Sequence, residues 1–260
     1  TTHKIDLYRA AHDLFDEVDG YAQLLAEVSC IAKRDGRLLG WAKDPLAAGR
    51  ALEAILSTGY FDRTGGNVLC FGAGGAGNAI VLHLLTRSES GDRPGRIVVT
   101  DRDAGRLEHA ETLHRRARSQ AGSPADVPVE YVRNASQGRN DGLVAELPPG
   151  SLVINATGMG KDRPGSPVSD AVRFPREGIA WELNYRYEPF PDNAYFLHQA
   201  ARQRESRNLR VEDGWHYFIL GWTSVMEEVF GRPISGDELE MLSREAAFAR
   251  PPASALLGES

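Results

Sequence analysis

The sequence predicts an α/β protein built on a doubly wound parallel sheet, with a second, truncated α/β lobe beside it. Three observations carry that expectation. Short apolar runs alternate with longer stretches of helical periodicity from about residue 62 to 213, an order that puts helices on both faces of a parallel sheet. The runs VLCF (Val68–Phe71) and RIVVT (residues 96–100) are almost continuously apolar, as strands buried on both faces must be. Gly72, Gly74 and Gly77 stand between the first of these runs and the periodic segment that follows.

Taken in order, residues 5–18 place Ile5, Leu7, Tyr8, Ala11, Leu14 and Phe15 largely on one face and read as an amphipathic helix. Runs 27–32 and 37–41 flank Lys33-Arg34-Asp35-Gly36, and Asp-Gly between such runs signals a hairpin. Asp44-Pro45 opens a periodic stretch through Leu56, with Asp44 as N-cap, Pro45 at the first helical position and Gly59 closing the helix. Thr64-Gly65-Gly66 reads as the loop into the central strand. Beyond the glycines come a strand at 96–100, a helix at 104–118 and a strand at 127–132, where Pro128 is tolerable only near the start or at an edge. A short helix at 142–147, strands at 151–156 and 178–183, a helix at 192–205 and a strand at 210–212 follow. Helices at 215–230 and 236–247 close the chain, and 119–126 and the tail after Pro251 read as loop. The expected division is a partial substrate-binding and catalytic lobe at 1–61, a nucleotide-binding domain at 62–213, and C-terminal helices at 214–260 packing back on the first lobe. A substrate belongs in the crevice between the lobes, at the carboxyl ends of the strands.

Composition narrows the partners. With 42% hydrophobic and 25% charged residues the chain resembles an ordinary soluble globular protein. A net charge of −6 and the absence of a basic patch with interleaved aromatics argue against a nucleic-acid partner. No run has the length of a membrane span, and none reads as a secretory leader. Cys30 and Cys70 are the only cysteines, and Cys70 falls inside a strand, so a buried reduced thiol and a cytoplasmic setting are expected. The expected partner is a small-molecule substrate, and a homodimer is compatible with the sequence. The histidines show no metal-ligand spacing.

The glycine segment carries the first chemistry. In G-x-G-x-x-G spacing, Gly72 permits a tight turn, Gly74 lets a pyrophosphate approach bare backbone, and Gly77 lets helix and strand pack closely. Ala73, Gly75 and Ala76 complete the loop, and the phosphates sit at the helix start, where the dipole favours negative charge. Such spacing alone also fits a plain glycine-rich turn. The preceding strand, the following helix and Asp101 at the end of the next strand favour a dinucleotide on a Rossmann-type sheet. Asp101 would accept from the ribose hydroxyls of NAD, and Asp103 adds negative charge against a 2′-phosphate. Arg102 argues the other way, since a guanidinium there can hold that phosphate or stack on adenine. Two carboxylates against one arginine make NAD the preferred cofactor and NADP the alternative. Asn155, Ala156 and Thr157 end a strand, where side chains reach ligands in this fold.

These motifs resemble the shikimate/quinate dehydrogenase family. GAGGAGNA (residues 72–79) is similar to its glycine loop, and VINATGMG (153–160) resembles the "INAT-x-x-G" element bordering its nicotinamide pocket. Asn184-Tyr185-Arg186-Tyr187-Glu188-Pro189 is similar to "D-x-x-Y-x-P", and Asp213-Gly214 with the helix after it resembles the "DG-x-x-ML" helix that closes the site. Thr2-His3-Lys4 resembles the end of "T-x-P-H-K", and Gly40-Trp41-Ala42-Lys43-Asp44 stands where the family has "G-x-N-T-D". The resemblance starts partway through the family's substrate-binding domain, so an upstream segment is expected. It implies a NAD(P)-dependent oxidoreductase acting on a secondary alcohol or ketone of a small cyclic hydroxy acid. Lys4 and Asp44 would be catalytic, Gly214 would lie on the cofactor side, and Ser29, Tyr187 and Gly221 on the substrate side.

Oxidising an alcohol requires a protein group to take the hydroxyl proton as hydride leaves. Lysine is a poor base at its free pKa of about 10.4 but a ready acid in the reducing direction. His3 is the rival base, although in an extended segment neighbours point to opposite faces. Tyr187 fits either a substrate pocket or interdomain packing, while Trp215, Tyr217 and Phe218 read as core. Ser29 replaces the asparagine of the family's "GAVN" element, Gly221 replaces a glutamine, and Asn184 an aspartate. Changes confined to substrate positions imply a changed substrate. A dehydrogenase of an amino- or deoxy-cyclitol and a non-catalytic dinucleotide-binding module are the alternatives.

Overall fold

The computed structural model describes residues 1, 4–86, 92–121, 127–160, 164–185 and 195–249. The chain opens with α1 (Lys4–Ala11), which gives way to a 3-10 turn at His12–Leu14 and a short strand, β1 (Glu17–Val18). The expected helix over 5–18 is therefore cut short, because Glu17 and Val18 pair in parallel with Leu39 and Gly40. A helix absent from the sequence reading, α2 (Gly20–Leu25), follows. Its N-cap is Asp19, whose carboxylate accepts from Ala22 N at 2.8 Å. The hairpin β2 (Cys30–Arg34) and β3 (Arg37–Trp41) is antiparallel, with Arg34 opposite Arg37. Asp35 (φ 51°) and Gly36 (φ 80°) are both left-handed, as a two-residue turn matched to the strand twist requires.

Asp44 does not cap the next helix, α3 (Asp44–Ile55); it occupies the first turn, and Lys43 stands at the N-cap without a side-chain bond. Gly59 does not end that helix either, since Leu56 does so, and Gly59 (φ 66°) instead precedes α4 (Tyr60–Thr64).

The large sheet then assembles from β4 (Val68–Phe71), β5 (Ile97–Asp101), β6 (Val129–Arg133), β7 (Leu152–Asn155), β8 (Ile179–Glu182) and β9 (Arg210–Glu212). All its pairings are parallel, in the order β6-β5-β4-β7-β8-β9. The chain winds outward from β4 to β6, returns to the other side of β4 and winds out to β9. This reversal opens a crevice beyond the carboxyl ends of β4 and β7. Pro128 precedes the edge strand β6, where its missing N–H is tolerated. Helices α5 (Gly75–Thr86), α6 (Ala104–Ala121), α7 (Gln137–Ala145), α8 (Tyr195–Ala201) and α9 (Arg204–Arg207) connect the strands. The helix expected at 142–147 begins five positions earlier. The one expected at 192–205 divides into α8 and α9, with residues 192–194 outside the described ones.

Strand side chains alternate between two cores. Val68, Cys70, Val99, Ile154 and Trp181 face α3, α5 and α10 (Trp215–Phe230). Leu69, Phe71, Val98, Val153 and Ala180 face Val168, Phe174 and Phe196 on the other side. Helices α3 and α5 approach closely, since a Cβ on Gly49 would lie 2.5 Å from His83 Nδ1. Helix α10 packs on α3 and β2. The Glu228 carboxylate accepts from Lys43 and forms an ion pair with Arg34, which donates to the Glu228 carbonyl oxygen. The last helix, α11 (Gly236–Ala246), starts at a capping box of Ser235 and Glu238. Among the described residues both cysteines are buried free thiols, and no helix is long and apolar enough to cross a membrane.

Candidate active site

The glycine loop lies at the crevice, and its geometry explains each glycine. Gly72 leaves β4 with φ 103°, and a Cβ there would lie 2.6 Å from the carbonyl oxygen of Ala156 at the end of β7. A Cβ on Gly77 would meet the Gly72 oxygen at 2.1 Å, whereas one on Gly74 would find nothing within 4 Å. The loop is thus closed against the sheet at Gly72 and Gly77 and open at Gly74, where backbone faces free space. Helix α5 begins at Gly75, so its first N–H groups, which have no partners within the helix, border the same space. A pyrophosphate fits a cradle of this kind.

Asp101 is turned towards the loop. One carboxylate oxygen accepts from Ala73 N at 2.9 Å, and the other from Asp103 N at 3.0 Å. Each oxygen retains a second lone pair for a ligand. Asp101 and Arg102 line a cleft of about 290 Å³ together with Gly72, Gly74, Arg106, Asn134, Ala156 and Thr157. Asp103 accepts from Arg106 N at 3.0 Å at the start of α6. The sequence reading missed Arg106, which stands in the first turn of α6, four positions after Arg102 in the preceding loop.

At the end of β7, Asn155 is fully buried. Its amide donates to Glu182 at 2.6 Å, and its oxygen accepts from the N–H and hydroxyl of Thr157 at 3.1 and 2.7 Å. Asn155 therefore shapes the wall, while Ala156 and Thr157 present the surface. Glu182 also accepts from Asn184 N at 2.9 Å. Burial raises its pKa to about 8 against the opposing pull of the bonds from Asn184 and Asn155, so this carboxyl is mostly protonated at neutral pH.

On the other side of the loop a cleft of about 660 Å³ holds Lys4, Glu27 and Asp44 with residues 73–76, Asp103, Arg106 and His109. Gly74 and Arg106 border both clefts. Lys4 is the first residue of α1, and its ammonium pairs with the Asp44 carboxylate on α3. Both side chains are part-buried, at 30% and 19% exposure, so water and small molecules still reach the pair. Lys4 starts a helix and does not lie in an extended segment, and His3, the rival base, lies outside the described residues.

Glu27, which lines this wall with Asp6, Asp44 and Asp103, is an acid that the sequence reading did not single out; no periodicity or spacing marks it. Ala26, left-handed at φ 50°, ends α2 and turns the chain so that Glu27 enters the wall. Burial, and then the Asp44 charge, lift its pKa to about 7, with Lys4 acting in the opposite sense. Tyr217 of α10 is near enough for Asp44 and Glu27 to reinforce the effect of burial, which pushes its phenol well above the ordinary value of 10.

The remaining predicted residues fall elsewhere. Ser29 is buried, and its hydroxyl accepts from Lys43 N at 2.7 Å, which ties the hairpin to the start of α3. Gly214 packs on backbone, with a Cβ there 2.0 Å from the Leu183 oxygen, and Gly221 on α10 has open space around it. Tyr187 lies outside the described residues. Among those described, no group of three or more His, Cys, Asp or Glu is arranged to hold a metal ion.

No protein-family profile matches the chain. Individual proteins do. The shikimate dehydrogenase (NADP(+)) of Thermus thermophilus is 31% identical over 223 residues, covering 85% of this chain and 68% of that protein. The shikimate dehydrogenase (NADP(+)) of Streptococcus gordonii is 25% identical over 226 residues, or 86% of this chain and 70% of that protein. The quinate dehydrogenase of Corynebacterium glutamicum, solved in complex with NAD, superposes with a TM-score of 0.66 at 20% identity, over 94% of this chain and 74% of that one. The alternation of strands and helices, the glycine loop at the switch point and this similarity have one meaning: the chain belongs to the shikimate dehydrogenase family of NAD(P)-dependent oxidoreductases acting on a CH–OH group.

Proposed function

We propose that this oxidoreductase interconverts a secondary alcohol and a ketone on a small cyclic hydroxy acid, with Lys4 moving the proton and Asp44 holding Lys4 in place. The observation that carries the reading is the Lys4–Asp44 pair in a cleft whose opposite wall is the glycine loop. In the reducing direction the Lys4 ammonium gives its proton to the forming alkoxide; in the oxidising direction the neutral amine takes the hydroxyl proton. When bound, the dinucleotide supplies or accepts hydride at its nicotinamide. Backbone at Gly74, Gly75 and Ala76 holds its pyrophosphate, and Ala156 and Thr157 form the wall beside it. The lobe boundaries near residues 61 and 213 belong to the same reading.

The cofactor side favours NAD in this proposal. Asp101 places a carboxylate at the adenosine end, in the cleft that Arg102 and Arg106 also line, and Asp103 stands two positions on in the neighbouring cleft. The two shikimate dehydrogenases named above are NADP(+) enzymes, and the quinate dehydrogenase was solved with NAD. Gly221, which has open space around it on α10 where the family resemblance expects a glutamine, supports a substrate differing from those of the relatives by an amino or deoxy substitution. A reduced, cytoplasmic setting completes the reading, supported by the buried thiols.

The test is Lys4→Ala assayed on shikimate, quinate and related cyclic alcohols with each dinucleotide. We expect kcat to fall by about 10²–10⁴-fold, the usual contribution of a positioned acid or base, with dinucleotide affinity unchanged. Undiminished turnover overturns the role of Lys4. Dinucleotide binding by the wild type without turnover of any panel member overturns the proposal.

A further inference from the structure

The described residues include three buried acids, Glu27, Asp92 and Glu182, at 3%, 1% and 1% exposure. Two are fully engaged. Asp92 accepts from the N–H groups of Tyr60, Phe61 and Asp62 at 3.0, 2.7 and 3.0 Å and so caps α4. Glu182 accepts from Asn155 and Asn184 and holds the strand-end loop. Glu27 differs: its Oε1 is buried without a hydrogen-bond partner. Burying one carboxyl oxygen unpaired is unfavourable, and that cost is offset when a ligand in the cleft donates to the other oxygen, Oε2, which faces the glycine loop.

Position identifies that ligand. Glu27 lines the cleft that contains Lys4 and Asp44. Its Oε2 and the Asp44 Oδ2 both face Gly75, at 3.5 and 4.0 Å from where a Cβ on that glycine would stand. The titratable groups around it are Lys4 on α1, Asp44 on α3 and Tyr217 on α10. Lys4 already donates to Asp44. A molecule whose hydroxyl reacts at Lys4 therefore brings its neighbouring substituents against Glu27.

We propose that Glu27 is a specificity-determining residue that accepts a hydrogen bond from a hydroxyl or ammonium substituent of the substrate, close to the carbon that reacts. The inference rests on the oxidoreductase reading above. A carboxylic acid in its protonated form still accepts through its carbonyl oxygen, and in its ionised form it favours an ammonium over a hydroxyl.

The experiment compares wild type, Glu27→Ala, Glu27→Gln and Glu27→Asp on shikimate and quinate. Their analogues with one ring hydroxyl exchanged for hydrogen or for ammonium complete the set, and dinucleotide affinity is measured throughout. For one ring position we expect wild type to favour a donor over hydrogen by about tenfold or more in kcat/KM, the worth of one hydrogen bond. Glu27→Ala should abolish that preference by raising KM for the donor-bearing compounds alone, and Glu27→Asp should restore part of it. Glu27→Gln separates the two donors: it keeps a preference for hydroxyl but loses one for ammonium. A purely structural role would change every analogue and dinucleotide affinity together, and that result, or no change at all, overturns the inference while the oxidoreductase reading stands. Dinucleotide binding without turnover of any compound overturns both.

Discussion

Lys4 and Asp44 stand forty positions apart and meet because α1 and α3 both begin at the mouth of one cleft. Each occupies the first turn of its helix, where a side chain projects beyond the helix end. At this scale the cofactor side has its own prediction. Asp101→Asn removes one negative charge from the adenosine end, so the preference for NAD over NADP should fall by about tenfold, or about 1.4 kcal/mol. The same change leaves Ala73 N or Asp103 N facing an amide NH2 in place of a carboxylate oxygen. Urea denaturation should therefore show a loss of about 1–3 kcal/mol. An unchanged cofactor ratio in steady-state assays would remove Asp101 from the ribose side.

Elements act through contacts too close for a side chain. Gly77 packs so near Gly72 that a methyl group would sit 2.1 Å from its oxygen, and backbone cannot yield as a flexible side chain does. Gly77→Ala should destabilise the protein by about 1–3 kcal/mol and abolish dinucleotide binding by calorimetry, because α5 must move away from β4. Gly74→Ala, where a Cβ meets nothing within 4 Å, should keep its stability and weaken only the dinucleotide, which needs that space. The capping box of α11 gives the opposite contrast. Ser235→Ala removes an acceptor for Glu238 N, now at 3.2 Å, and should cost about 1 kcal/mol of stability with kcat/KM unchanged, since α11 borders neither cleft.

For the whole molecule the buried acids set a pH dependence of stability. Glu182 ionises near 8 and Glu27 near 7, against an ordinary 4.5, so between these values the folded chain holds more protons than the unfolded one. Stability must then fall as pH rises through this interval. His114, buried and pushed down to about 4, works the other way: its contribution is lost as pH drops from about 6.5 towards 4. Urea midpoints should decline between pH 5.5 and 8.5, and Glu182→Gln should flatten much of that slope, by an amount on the order of a few kcal/mol. A wild-type midpoint that rises across this interval would contradict the burial of both acids.

Much of the large sheet was legible in the chain because its signals are local. VLCF must bury both faces, the glycines stand between that strand and a helical segment, and Asp35-Gly36 adopts the left-handed pair that a two-residue hairpin requires. Strand β9 and helix α10 have the limits their apolar patterns imply. The signals failed where a distant partner decided the outcome. The helical pattern of residues 5–18 breaks because β3 recruits Glu17 and Val18. Asn155 reads as a ligand contact but is consumed by Glu182 and Thr157, and Ser29 by the backbone of Lys43. The sequence by itself determined the alternation of elements, the place of the glycine loop and the residue types available for proton transfer, all of which depend on neighbours a few positions away. Only the tertiary structure decided which of those polar groups face the cleft and which are spent in its walls. That depends on desolvation and on hydrogen bonds across long separations, and it is what leaves Glu27 unpaired beside Lys4 and Asp44.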